Sequence, residues 1–160
     1  MPNDPGHRGP GERLAALGLT LPPVTAPVAA YVPAVRTGGY VYVSGQLPVA
    51  DGKLPATGKA GGEVSASDAA GMARICALNA LAAAASAAGG LDRIRRIVKV
   101  TGFVASAPGF TGQPQVVNGA SELFIEVFGE DGRHARSAVG VAELPLNAPV
   151  EVELIAEIRE

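Results

Sequence analysis

The sequence predicts an α+β fold in which helices cover one face of a mixed β-sheet. Short runs rich in β-branched and aromatic residues alternate with longer segments whose apolar residues recur at helical spacing. The last run, 150–158, alternates strictly, because its even-numbered residues are all apolar and its odd-numbered residues are mostly acidic. Such a strand has one buried and one polar face, which is typical of a layered α+β domain.

Three segments predict helices. They are 11–19, a long alanine-rich segment from Ser67 to the Gly89-Gly90 pair, and 113–128. We expect Ser67 to be the N-cap of the long helix, because a serine hydroxyl accepts from free backbone amides and Asp68 follows with a favourable negative charge. Residues 1–11 predict a flexible tail, and 12–160 predict a single domain of ordinary size.

Six segments predict strands. They are 31–36, 40–46, a candidate short strand at 53–54, 94–106, 135–143 and 150–158. Thr37-Gly38-Gly39 between the first two is a hairpin signal. The last two are joined by the short segment 144–148, so we expect them to pair as an antiparallel hairpin. Two helices can cover only one sheet face, and a partly apolar second face would favour self-association.

Composition argues against several functional classes. The 160-residue chain has a net charge of −2 and lacks the basic surface that binding to nucleic-acid backbones requires. Its one cysteine, Cys76, is expected in the core, and no signal-type apolar stretch is present at the N-terminus, which together favour a cytoplasmic location. The most apolar stretch, 77–88, is too short to cross a bilayer. His7 and His134 form no metal-ligand pattern with the single cysteine, and His134 is expected to be exposed, so no metal is predicted. The glycines at 58–62 lack the sequence context of a phosphate-binding loop, so no cofactor is predicted.

Three stretches together resemble the YjgF/Rid family of reactive intermediate deaminases. The first is Tyr31 with VYVSGQLP at 41–48, and the second is VNGA at 117–120. The third and most specific begins with ARSAV at 135–139 and continues through Leu144-Pro145 to VEVELIA at 150–156. These motifs occur in the family's order and spacing over residues 26–158.

The resemblance implies a chorismate-mutase-like fold with a mixed six-stranded sheet and two helices on one face. It also implies a homotrimer whose sheets form a central barrel, with ligand clefts between subunits. Characterised members hydrolyse enamines and imines of amino acids, such as 2-aminoacrylate, to 2-keto acids and ammonia without a cofactor. This chain differs in its extension before Ala26 and its glycine-rich loop at 58–62, which are similar to a longer branch of the family. Ala138 stands where many deaminating members have a cysteine.

Arg136 and Glu151 are the candidate catalytic residues. The guanidinium of Arg136 matches a carboxylate with two parallel donors and stays charged, and the resemblance implies that it anchors the substrate acid. The alternative is an exposed arginine or one paired with a glutamate of the same sheet. Glu151 resembles the family's acidic residue that orients water or transfers a proton, and the alternative is an ordinary charge on a solvent face.

The predicted hairpin sets the distance between these two residues. Arg136 and Glu151 share the face away from the helices, but Arg136 lies opposite residues 155–157. Glu151 is then roughly 13–20 Å along the strand, at about 3.3 Å per residue. Direct contact within one chain is therefore not expected, and strong curvature or a neighbouring subunit must bring both residues to one ligand.

The resemblance adds further residues to the candidate substrate-binding set, and they are Tyr31, Ser44, Gly45, Asn118 and Ala138. Tyr31 either covers the cleft or fills an interface as an ordinary strand aromatic. Ser44 either faces the ligand or has its hydroxyl satisfied within the strand, and Gly45 allows close approach because it has no Cβ. Asn118 either reaches the cleft or caps a backbone group. At Ala138 the main chain is the expected contact.

The leading hypothesis is therefore cofactor-free hydrolysis of small carboxylate-bearing enamines or imines at clefts between subunits. The alternative is non-catalytic binding of keto acids or related metabolites in the same cleft. A third hypothesis follows from the family's older label as a ribonuclease and translation inhibitor. The acidic pI of about 5.7, the lack of basic clusters and the lack of a histidine pair argue against it.

Overall fold

The computed structural model describes residues 8–27 and 29–160. The helices and strands are, in chain order, α1 (Pro10–Ala16), β1 (Ala34–Thr37), β2 (Tyr40–Gln46), α2 (Ala66–Ala88), β3 (Ile94–Ala105), α3 (Gln113–Phe128), β4 (Ala135–Val141) and β5 (Val150–Ile158). The strands form one mixed sheet in the order β1-β2-β5-β3-β4. The α+β fold predicted from the sequence is confirmed.

The core lies between the sheet and the two long helices, α2 and α3. On β5, the even-numbered residues from Val150 to Ile158 are all buried, whereas the odd-numbered ones are half-buried on the opposite face. This face, which we call the open face, carries no helix among the described elements. The two helices approach closely, since a Cβ at Gly119 of α3 would overlap the backbone carbonyl of Ala70 in α2.

α2 differs from its prediction at its N-terminus. The N-cap is Ser65, whose hydroxyl accepts from the backbone amide of Asp68 at 3.0 Å. Ser67 lies in the first helical turn and is exposed. The reason is the backbone of Ser65, which is extended and aims its hydroxyl at the free amides of the first turn.

The length of α2 also exceeds the apolar stretch considered from the sequence. By length and composition, this 23-residue helix could cross a membrane. However, 67% of its most apolar 18-residue window is buried within the protein, as in an ordinary core helix.

The sheet has five strands in the described part of the chain, so the prediction of six is wrong. Lys53 makes only an isolated bridge with Ala50. Asp51 and Gly52 between them both have positive φ angles, and Pro55 follows, so the tight turn has no room to extend into a strand. The first predicted hairpin is present, although β1 begins only at Ala34.

The predicted hairpin of the last two strands is also wrong. β4 pairs with β3 in parallel, and β5 lies between β2 and β3, antiparallel to both. The reason is that β3, α3 and β4 form a strand–helix–strand crossover, which returns the chain in the same direction. Residues 142–149 then carry the chain past β3 to the middle of the sheet, where the fully apolar face of β5 can be buried.

The N-terminal boundary is shifted slightly. The predicted helix 11–19 is present as α1, but it begins at Pro10, which was assigned to the flexible tail, and ends at Ala16. The amide of Gly11, where the predicted tail and helix overlapped, donates to Asp92 Oδ1 at 2.8 Å. Residues 1–7 of the predicted tail lie outside the described residues.

Candidate functional site

Arg136 lies on β4, the edge strand of the sheet. It is in register with Val100 of β3 and therefore shares the face that carries the helices. Its Nη1 donates to Asn118 Oδ1 at 2.8 Å and to Ser121 Oγ at 3.2 Å, both on α3. Within residues 8–27 and 29–160, no carboxylate forms an ion pair with it. The half-buried guanidinium is thus oriented by neutral groups.

These contacts leave one side of the guanidinium open. Nη2 has only a long contact to the Pro114 carbonyl, at 3.4 Å, and Nε has no partner in the described part of the chain. The Nε–H and one Nη2–H bond lie side by side in the guanidinium plane and match the two oxygens of a carboxylate. Arg136 can therefore bind a small acid without giving up its hydrogen bonds to Asn118 and Ser121.

His134 is half-buried behind Arg136, which contradicts the expectation that it is exposed. Its Nε2 lies 2.9 Å from Ser121 Oγ, and its Nδ1 lies 2.6 Å from the Gly132 carbonyl oxygen. The ring packs edge-on against Phe124, with 5.7 Å between the ring centroids. Burial lowers the pKa of His134, the hydrogen bond to Gly132 opposes this shift, and the positive charge of Arg136 adds to it.

We call Asn118, Ser121, His134 and Arg136 the arginine cluster. Sequence reasoning did not select Ser121, and it set His134 aside. A partial signal existed, since residues 118 and 121 share one face of a helix and His134 lies two residues before Arg136, just ahead of β4. Ala138 is half-buried on the same strand face and packs against the core.

Glu151 lies on the opposite side of the sheet from Arg136. It is in register with Phe103 of β3 on the open face. Its carboxylate occupies the space beside Gly45, because a Cβ at that position would overlap it. Burial, followed by the negative charge of Glu153, raises the pKa of Glu151. A half-buried carboxyl group of this kind is suited to proton transfer.

A groove of about 200 Å³ runs beside Gly45 and is lined by Tyr31 and by apolar residues that include Leu47 and Leu146. Tyr31 is 47% exposed. The Ser44 hydroxyl donates to the Val32 carbonyl at 2.7 Å, so it is satisfied by the backbone. We call Tyr31, Ser44, Gly45 and Glu151 the tyrosine cluster.

The sequence-predicted site residues thus form two separate groups within one chain. The arginine cluster lies at the β4 edge on the helix side, whereas the tyrosine cluster lies around β2 and β5, with Glu151 on the open face. The prediction that Arg136 and Glu151 share a face is wrong, because β4 pairs with β3 rather than with β5. The expectation that they do not meet directly within one chain agrees with the structure, but for this different reason.

The open face is partly apolar, which is the condition under which the sequence predicts self-association. Val35 and Tyr42 are cross-strand partners on it, and Val139 lies on it opposite Phe103. Val35, Tyr42 and Val139 are 51%, 46% and 41% exposed. Adjacent apolar side chains on an open sheet face are typical of a surface that contacts another protein.

Comparison with known proteins identifies close relatives of this chain. The family model described as "YjgF/chorismate mutase-like, putative endoribonuclease" matches residues 11–158. Protein TCP17 of Trypanosoma cruzi is 47% identical over 146 residues, which are 91% of each chain. The solved structure of Atu1372 from Agrobacterium tumefaciens is 49% identical, with a TM-score of 0.86 over 94% of this chain and 92% of that one. TdcF of E. coli, solved with bound serine, is 29% identical, with a TM-score of 0.60 over 88% and 94% of the two chains.

Proposed function

Because the chain belongs to the YjgF/chorismate-mutase-like family, we propose that it binds small carboxylic acids through Arg136 and hydrolyses enamines or imines derived from amino acids. The observation that carries the proposal is the open Nε and Nη2 side of a guanidinium held by Asn118 and Ser121. The serine bound to the related TdcF resembles the proposed ligands in being a small amino-acid-sized molecule with a carboxylate.

The site is assembled between subunits. One subunit supplies the arginine cluster and its neighbour supplies the tyrosine cluster, since the two lie apart within a chain. The partly apolar open face supports self-association, and the family resemblance favours a homotrimer. The groove beside Gly45 then receives the apolar part of the ligand, while Arg136 of the adjacent subunit receives the carboxylate.

The chemistry requires little more than orientation and proton transfer. Glu151, whose pKa is raised by burial, is suited to exchange protons with the ligand: its acid form donates a proton to the imine nitrogen, and a water molecule then attacks the imine carbon. The carboxylate of Glu151 takes a proton from the added water, which gives a carbinolamine, and returns that proton to the nitrogen. The C–N bond then breaks, ammonia leaves, and the hydroxyl oxygen loses its remaining proton to Glu151 as the carbonyl of the 2-keto acid forms. No redox step is involved, so the reaction needs no electron-carrying cofactor.

Calorimetric titration with 2-oxobutyrate tests the binding role of Arg136. Removing the charge and the paired donors in Arg136→Gln should cost about 2–5 kcal/mol, which raises Kd roughly 30-fold or more. Arg136→Lys keeps the charge but loses the planar pair of donors, so its Kd should lie between those of the wild type and Arg136→Gln. Arg133→Gln is the matched control, because this exposed arginine contacts Glu130 and lies outside the cluster. Equal affinities of the Arg136→Gln variant and the wild type would exclude the proposed role.

Release of ammonia from enzymatically generated 2-aminoacrylate tests turnover. We expect the wild type to accelerate release over buffer, and both Arg136→Gln and Glu151→Gln to lose the acceleration. Binding of 2-oxobutyrate at Arg136 without acceleration on a panel of such imines would instead favour the non-catalytic role, in which the same cleft sequesters keto acids.

Mixed oligomers test whether the site lies between subunits. Arg136→Gln and Glu151→Gln chains should each be inactive, but their refolded 1:1 mixture should regain about one quarter of wild-type activity, because about one quarter of the interfaces combine two intact halves. No recovery would place both residues at a site within one chain. Light scattering should give a particle of three times the 16.1 kDa chain mass.

A further inference from the structure

We propose that Ser121 and His134 are positioning residues that hold the Arg136 guanidinium in the orientation needed to bind a carboxylate. The inference rests on the proposed carboxylate-binding role of Arg136 and extends it to two residues that do not touch the ligand. Neither residue is required by the general chemistry of imine hydrolysis. The geometry that carries the inference is a chain of three hydrogen bonds from Gly132 to Arg136.

The direction of each hydrogen bond fixes the direction of the next. The Gly132 carbonyl can only accept, so His134 Nδ1 carries a hydrogen and donates to it across 2.6 Å. In a neutral imidazole, Nε2 is then an acceptor, and the Ser121 hydroxyl donates to it across 2.9 Å. The lone pairs of Ser121 Oγ are therefore left to accept from Arg136 Nη1 at 3.2 Å.

The surroundings of His134 favour this neutral form. Arg136 on β4 is a cation, and on β3 the guanidinium of Arg96 donates to the Arg133 carbonyl, one residue before the histidine. The acidic residues of α3 and of the turn before β4 either have other partners or are exposed. Arg133 binds Glu130 and Arg74 binds Glu126, whereas Glu122 and Asp131 are exposed. No carboxylate in the described part of the chain hydrogen-bonds to the imidazole. If His134 were protonated, two cationic groups, its imidazolium and the Arg136 guanidinium, would both donate to the Ser121 hydroxyl oxygen.

The chain of hydrogen bonds determines which side of Arg136 stays open. Asn118 and Ser121 lie three residues apart on one face of α3, and both accept hydrogen bonds from Nη1. Fixing Nη1 fixes the plane of the guanidinium. Nε is then left without a partner in the described part of the chain, and Nη2 keeps only its long contact to the Pro114 carbonyl of α3. Without His134, the serine hydroxyl would be free to rotate toward helix carbonyls, as serines in helices do. The imidazole thus acts on Arg136 through Ser121.

Three variants test the inference against a purely structural role. Ser121→Ala removes the link, His134→Phe keeps a ring that can pack on Phe124 but has no acceptor, and His134→Gln supplies an oxygen near the Nε2 position. We expect the first two to weaken 2-oxobutyrate binding about 3- to 10-fold, with a raised KM and a preserved kcat in the ammonia assay. His134→Gln should stay within about twofold of the wild type. Arg133→Gln, on the same turn, is the control.

The ligand-free protein provides a second measurement that does not depend on the proposed function. In ¹⁵N spectra of the arginine side chains, the Nη signals of Arg136, assigned by loss in Arg136→Gln, should indicate restricted rotation in the wild type and in His134→Gln. They should average in Ser121→Ala and His134→Phe. Unchanged signals in both of these variants, or a glutamine variant that behaves like the phenylalanine variant, would overturn the inference. If 2-oxobutyrate does not bind to the wild type, the binding proposal fails while the spectra still decide the positioning role.

Discussion

The contact between α2 and α3 at Gly119 makes a quantitative prediction about stability and function together. In Gly119→Ala, the new Cβ would overlap the Ala70 carbonyl. A backbone carbonyl inside a helix cannot rotate away, so the two helices must separate. Gly119 follows Asn118 directly, and the separation would therefore also move a partner of Arg136.

The magnitude follows from two opposing terms. Overpacking of this kind costs about 1–3 kcal/mol. Replacing glycine by alanine inside a helix returns about 0.5–1 kcal/mol, because the unfolded chain loses freedom. Since the clash is with backbone rather than with a flexible side chain, we expect the overpacking cost to lie toward its upper end and Gly119→Ala to be destabilised by about 1–2 kcal/mol.

Gly71 provides the matched control, because it also lies inside a helix, α2, but its added Cβ would meet no atom within 4 Å apart from its chain neighbours and the nearby backbone of α2 itself. Gly71→Ala should gain the propensity term alone, so the two variants should differ in Tm by roughly 4–10 °C at a fixed protein concentration. Gly119→Ala should also bind 2-oxobutyrate more weakly, whereas Gly71→Ala should bind like the wild type. Equal Tm values, or a more stable Gly119→Ala, would refute the packing argument.

Three further predictions follow from individual residues. Ser65→Ala should lose about 1 kcal/mol in urea denaturation through loss of the N-cap, whereas Ser67→Ala should stay within about 0.5 kcal/mol; the opposite order would contradict the cap assignment. The pKa of His134 in the folded protein lies below its ordinary 6.5, so the unfolded chain binds this proton more readily, and the stability that is complete above pH 6.5 is lost as pH falls through the folded-state pKa. His134→Gln should lack this part of the pH dependence, and an identical profile would be evidence against the shift. Burial raises the pKa of the Cys76 thiol, so Ellman's reagent should label it in urea but not in the native protein; rapid native labelling would contradict its core position.

Local sequence signals predicted the elements better than their partners. α3 was predicted at its observed bounds because its apolar residues repeat at helical spacing and Gly129 ends the helix. The pairing of β4 was not predictable in the same way. Alternation in a strand indicates which residues share a face, but it is the same whether the neighbour is β3 or β5. β4 pairs with β3 because α3 connects the two strands as a crossover, and short-range sequence patterns do not indicate such a connection.

The candidate site was predicted in part for the same reason. Arg136 and Asn118 were each selected, and the structure brings them to 2.8 Å. Ser121 and His134 were not selected, because a serine inside a helix and a histidine before a strand are ordinary features taken singly. Their role becomes visible only when the face of α3 that meets β4 is known. Gly45 was selected for ligand approach, whereas in the structure it gives room to the Glu151 carboxylate.

The chemical nature of the partners of Arg136 explains how the guanidinium can be both ordered and available. A carboxylate at position 118 or 121 would hold the guanidinium equally well, but it would neutralise the charge and compete with any acid that binds. An amide oxygen and a hydroxyl oxygen orient Nη1 and leave the full positive charge in place. The partial burial of Arg136 makes this unneutralised charge costly in the free protein. A ligand carboxylate would remove much of that cost, so binding energy is available at the Nε and Nη2 side of the guanidinium.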